Sequence, residues 1–128
     1  MGWMDALTGN ASSADPGTVQ AEMAAFLVPG ERVEQAFKLV RDMFVFTNLR
    51  IISIDKQGLS GKKTNYRSIP YPKITQFSKE SAGFMDLDAE LKIWVGSDQE
   101  PLSFEFNRNT PVNDVYRLIS EKVLASGR

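Results

Sequence analysis

The chain has 128 residues, 42% hydrophobic and 24% charged, with a formal net charge of −1. That is enough for one domain with a real core, and it gives no global pull toward nucleic acid or membrane. The sequence contains no Cys and no His, which excludes a disulfide framework, zinc sites of Cys and His, and Ser-His-Asp or Cys-His nucleophiles. The absence of Cys also fits a reducing cytoplasm. No apolar run approaches the ~20 residues that span a bilayer. The N-terminus carries Asp5 and no basic segment followed by an apolar one, so a signal peptide is not expected.

Residues 1–14 are poor in order signals, with Gly9, Asn10, Ser12 and Ser13 suggesting a linker. Asp15-Pro16 then offers a cap followed by proline at the first helical position. Val19, Met23, Phe26 and Leu27 follow on one helical face, so a short helix is expected over about Gly17 to Leu27, ended by Pro29-Gly30. Strands begin near Glu31. Val33, Phe37 and Leu39 share one parity, and Arg41-Asp42 can turn the chain tightly into Met43.

The run Met43 to Asp55 is the densest in strand-forming residues. Phe44 and Phe46 share one face and Met43 and Val45 the other, so both faces carry apolar residues. Such a strand pair belongs at the centre of a sheet packed on both sides, with Asn48 turning one strand into the next. Gln57-Gly58 and Ser60-Gly61 mark the following connection. Lys62 to Ile69 reads as a polar strand. Pro70-Tyr71-Pro72 bars regular pairing, and Ile74 to Ser81 reads as a further strand. After Gly83, the residues Leu87, Ala89, Leu91, Ile93 and Val95 share a face, with Trp94 on the other. Gly96 to Pro101 is a turn cluster, and Leu102, Phe104 and Phe106 alternate with polar residues. The last segment is a helix, with Thr110 and Pro111 as its start signal and Gly127 as its stop. Val112, Val115, Tyr116, Ile119 and Val123 form its stripe, which Leu118 and Leu124 widen.

About seven antiparallel strands, a C-terminal α-helix that plugs an open corner and a short N-terminal helix make a mainly β fold of the pleckstrin-homology (PH) kind. A closer resemblance is carried by Ala36-Phe37-Lys38-Leu39-Val40-Arg41-Asp42, Phe44-Val45-Phe46-Thr47-Asn48 and Lys62-Lys63-Thr64-Asn65-Tyr66. Ile69-Pro70-Tyr71 and Asp86-Leu87-Asp88-Ala89-Glu90-Leu91-Lys92-Ile93-Trp94 add to it. These segments resemble the bacterial PH-domain family, long classed as a domain of unknown function. The expected layout is an N-terminal extension over 1–29 and a PH-like domain over 30–126. The resemblance implies a non-enzymatic binding module without a cofactor, and ring-like homo-oligomers.

Charge is unevenly spread. Residues 32–79 hold ten Lys or Arg against three acids, and residues 80–105 hold seven acids against one Lys. Candidate interface or ligand-binding residues are therefore Lys62, Lys63, Arg67 and Lys73, with Tyr66 among them, on the basic side. On the acidic side they are Asp86, Asp88 and Glu90, with Trp94 as an outward anchor. Alternating carboxylates can hold a divalent cation, but exposed acids opposite an apolar face are commonplace, and no metal site is expected. Basic residues interleaved with aromatics, here Tyr66 and Tyr71, can bind nucleic acid, though a solvated strand face is the simpler reading. Phosphoinositide binding in PH domains uses a cation late in the first strand and a basic-x-Arg pair in the second. Lys38 and Arg41 lie near the first position, but the second strand, Met43 to Thr47, has no cation, so this ligand is not expected. The expectation is a cytoplasmic scaffold that partners itself in a ring, with another protein or peptide as a further partner. The alternative is a peripheral membrane or anionic-ligand sensor that uses the basic face.

Overall fold

A computed structural model describes residues 15–38, 42–57, 63–81, 88–107 and 112–126. The order is α1 (Pro16–Met23), β1 (Val33–Lys38), β2 (Asp42–Thr47), β3 (Arg50–Gln57) and β4 (Lys63–Pro70). A 3-10 turn (Tyr71–Lys73) then leads to β5 (Ile74–Ser81), β6 (Asp88–Val95), β7 (Leu102–Asn107) and α2 (Val112–Ser126). The strands form two antiparallel sheets, β1-β2-β3-β4 and β5-β6-β7. The expected PH-like fold is therefore present, with a C-terminal helix and a short N-terminal one. No helix of the described residues is long and apolar enough to cross a membrane.

The alternation along β2 decides the layering. Phe44 and Phe46 enter the larger core, which also holds Ile51, Ile69, Leu91, Ile93, Phe104 and Phe106 and receives Val115 and Ile119 of α2. Phe44 links the two sheets, its ring centroid 4.3 Å from that of Phe104. Met43 and Val45 point the opposite way, into a second core with Val33, Ala36, Ile52 and Ile54, closed by Val19 and Met23 of α1. The first sheet is thus buried on both faces. The second sheet buries Leu91, Ile93, Phe104 and Phe106 on its inner face only.

Three sequence expectations change in detail. The first helix ends at Met23, and Phe26 is 41% exposed, because residues 24–26 tighten into a turn in which the Phe26 and Leu27 amides both donate to the Met23 carbonyl. Val33 and Phe37 do not share a face: an irregularity between Val33 and Gln35 shifts the register, so Val33 joins the second core and Phe37 the first. Leu124 is not part of the buried stripe of α2 but 68% exposed, since it lies on the flank one step beyond Tyr116 and Ser120. Leu39, Arg41, Gly58, Ser60, Gly61, Gly83, Leu87, Thr110, Pro111 and Gly127 lie outside the described residues.

Candidate functional site

The sequence-derived candidates fall on two separate surfaces. Lys63, Tyr66 and Arg67 sit on β4, an edge strand, and all three are exposed. They do not form one patch. Ile69 pairs with Ile51 and faces the larger core, and Arg67 and Lys63 share its parity. Tyr66 pairs with Ile54 and so lies on the α1 side, where its ring meets Phe26 edge-on at 5.1 Å. The β4 aromatic and cations are therefore on opposite faces. Tyr71 is unavailable for stacking as well: it is buried, and its hydroxyl donates to the Thr47 carbonyl at 2.6 Å. Burial, with the nearby carboxylates of Glu34 and Glu31, pushes the Tyr71 phenol above its ordinary pKa. Lys73 is exposed in the 3-10 turn. Lys62 lies outside the described residues.

On the second sheet, Glu90 and Trp94 share the outer face of β6, opposite Leu91 and Ile93, and both are half-buried. Asp88 opens the strand, whereas Asp86 lies outside the described residues. The alternation Asp86-Asp88-Glu90 is less informative than what the register adds. Glu90 pairs with Glu80 of β5 on one side and with Glu105 of β7 on the other. Three carboxylates thus cross the sheet in one row. Side chains directly opposite lie about 5 Å apart at Cβ, and like charges there repel. Among the described residues one cation answers them: Lys92 Nζ is 3.8 Å from Glu80 and 3.9 Å from Glu90. These are long, water-screened contacts worth well under about 1 kcal/mol each. Among the described residues no His, Cys, Asp or Glu group of three or more could hold a metal ion.

A third cluster escaped sequence reasoning. Glu31, 4% exposed, accepts Arg50 Nε at 2.8 Å and Arg50 Nη2 at 2.9 Å, the Thr47 hydroxyl at 2.7 Å and the Val28 amide at 3.1 Å. Arg50 also donates to Ser68 Oγ at 2.8 Å and to the Phe26 carbonyl at 3.4 Å. Asn48 completes the clamp, accepting the Arg32 amide and donating to the carbonyl of Gly30, a glycine held at φ 85°. The Arg50 fork, aided by Thr47 and the Val28 amide and opposed by burial, holds the Glu31 carboxyl at about pKa 2. This set fixes the segment between α1 and β1 onto the β2–β3 turn. It is fully paired, which marks it as structural. The one sequence signal was a lone Glu at the start of the strands and a lone Arg just after Thr47-Asn48.

The profile of the family described as "Bacterial PH domain" matches residues 2–123. The chain is 49% identical over 121 residues to the uncharacterized protein YjqA of Bacillus subtilis, covering 94% of this chain and 97% of that protein. The crystal structure of a pleckstrin homology domain from Shewanella amazonensis superposes with a TM-score of 0.80 at 46% identity, covering 86% of this chain and 99% of that one. A DUF1696 family protein with a pleckstrin-homology domain from Shewanella loihica gives 0.79 at 40% identity, covering 91% and 99%. The two-sheet core, the helix that closes it and these matches together place this chain in the bacterial PH domain family.

Proposed function

We propose that this protein is a non-enzymatic cytoplasmic scaffold that self-associates head to tail into a ring. The acidic outer face of the second sheet of one copy meets the basic β4 edge of the next. The observation that carries this reading is the row Glu80-Glu90-Glu105, three carboxylates answered, among the described residues, by the single ammonium of Lys92. Such a row repels itself in an isolated subunit and gains from cations brought by a neighbour. Lys63 and Arg67, four residues apart on one face of an edge strand, are exposed and have no ion-pair partner among the described residues. Trp94, on the same face as Glu90, is the natural anchor of the contact. Because the two surfaces differ, the interface is heterologous, and it closes into a ring where the rotation between copies permits.

The test is the solution mass by light scattering after size exclusion, at low and high salt. A discrete multiple of 14.3 kDa that falls apart in high salt is expected. Glu90→Lys with Glu105→Lys should dissociate the assembly, and Lys63→Glu with Arg67→Glu in the mixed partner should restore it. A monomer at both salts overturns the reading. In that case the unpaired Lys63, Arg67 and Lys73 favour an anionic-ligand sensor instead, which predicts salt-sensitive sedimentation with phosphatidylserine vesicles.

A further inference from the structure

We propose that an exposed apolar patch on the α1 side of β4 is the docking site of residues 3–7 of the same chain, folded back along α1. The α1-side cover of the first sheet is incomplete. α1 buries Val19 and Met23, but on that face of β4 Tyr66, Ser68 and Pro70 are all exposed. Among the described residues five large hydrophobics are exposed, and Leu124 of α2 is the one that lies elsewhere. The other four, Phe26, Val28, Leu49 and Tyr66, gather round Arg50.

Hydrogen bonds tie the four together. The Arg50 guanidinium donates to the Phe26 carbonyl and to Ser68, which shares a face of β4 with Tyr66. Leu49 precedes Arg50 in the β2–β3 turn, and the Val28 amide donates to the same Glu31 carboxylate that Arg50 holds. The Phe26 and Tyr66 rings meet edge-on at 5.1 Å, yet Phe26 is 41% and Tyr66 44% exposed. A ring pair left open on its outer side can receive a third aromatic ring, and a contiguous exposed apolar patch marks a contact site.

The chain itself supplies the occupant. Residues 1–14 lie outside the described residues and join α1 at its cap, Asp15. Trp3, Met4 and Leu7 stand at i, i+1 and i+4, one face of a helical turn, with Asp5 across from them. The linker 8–14 spans up to ~23 Å when extended, and the rise from Asp15 to Phe26 along α1 and its closing turn is ~17 Å. The segment therefore reaches the patch of its own subunit. Trp3 stacks on the Phe26–Tyr66 pair, and Met4 adds a sulfur–aromatic contact. The family profile matches from residue 2 onward, so this segment falls within the matched length of the domain. The patch is distinct from the surfaces proposed above for self-association, since Lys63 and Arg67 lie on the opposite face of β4.

The test uses the full chain labelled with 5-fluorotryptophan, which places one fluorine on Trp3 and one on Trp94. Trp3→Phe assigns the two resonances. The Trp3 resonance should lie away from that of a labelled synthetic peptide of residues 1–14, and it should not move on dilution. Phe26→Ser and Tyr66→Ser change exposed side chains. Each should carry the Trp3 resonance toward the peptide value and leave Trp94 in place, whereas Leu124→Ser should move neither. Independently, Trp3→Ser in the 15N-labelled full chain should shift the amides of residues 26–28, 49 and 64–68. The proposal is overturned if Trp3 in the parent chain already matches the peptide, or if neither Phe26→Ser nor Tyr66→Ser moves it. It is equally overturned if dilution returns Trp3 to the peptide value, which would put the contact between copies, or if Trp3→Ser leaves the amides around Phe26 and Tyr66 unshifted.

Discussion

The two sheets solve different problems. The first is apolar on both faces, so it needs two covers: the second sheet with α2 on one side, and α1 on the other. Its outer cover is short, an eight-residue helix burying two side chains, and it stays in place because the Glu31–Arg50–Thr47 clamp ties the following loop to the β2–β3 turn. The second sheet is apolar on its inner face alone, and its outer face carries Glu80, Glu90, Lys92, Trp94 and Glu105. A face that the fold does not need to cover is free to carry charge in an arrangement that costs the isolated subunit stability. The doubly covered sheet carries both cores, and the singly covered sheet leaves its outer face open.

Truncating the link between the two sheets should do most harm. Phe44→Ala removes a fully buried ring packed against Phe104, Phe46 and Phe106 and should cost about 3–5 kcal/mol, read as a lower urea midpoint. A loss under about 1 kcal/mol would mean that the sheets do not depend on this contact.

The clamp ranks second. Glu31→Gln leaves Arg50 without its carboxylate and should cost roughly 2–4 kcal/mol. In the parent protein the carboxyl sits at about 2, against an ordinary 4.5. Its contribution is therefore complete above pH 4.5 and lost as the pH falls from 4.5 toward 2, on the order of 3 kcal/mol in all. Stability measured over that window should fall steeply in the parent and be flatter by this amount in Glu31→Gln. Equal slopes would remove the clamp from the account.

A smaller effect isolates the outer cover. Asp15 caps α1, accepting the Thr18 amide and hydroxyl, each at 3.0 Å. Asp15→Ala should cost about 1 kcal/mol and speed amide exchange in α1 and along its neighbour β1, leaving β6 and β7 unchanged. Faster exchange throughout would show that the cover and the rest unfold as one.

The least effect on stability is expected where the surface is least structural. Glu105→Lys relieves the carboxylate row and should raise subunit stability by about 0.2–1 kcal/mol while weakening self-association at low salt. A destabilised subunit would show that the row is not under repulsion.

Much of this was legible beforehand. Strict alternation in β2 and β7, the turns at Asn48 and at Gly96 to Pro101, and the stripe of α2 each follow from local sequence pattern, and local pattern survives folding. The errors came where a non-local contact overrode it. The bulge in β1 moved Val33 to the other face from Phe37, and no pattern within six residues announces a bulge. Leu124 fits the apolar stripe of α2 but lies beyond the surface that the sheet offers. Closeness in sequence groups the basic candidates into one cluster, but strand pleating sets Tyr66 apart from Lys63 and Arg67.

By itself the sequence determined the fold class and the double-sided character of the central strands, because backbone periodicity and apolar spacing act over a few residues. It also determined the separation of charge between the two halves of the chain. Only the tertiary structure decided which charges meet. Glu80, Glu90 and Glu105 are brought into one row, and Glu31 onto Arg50, by strand register and chain closure. Those pairings span ten to nineteen residues, and their electrostatic energies depend on distances that no local pattern encodes.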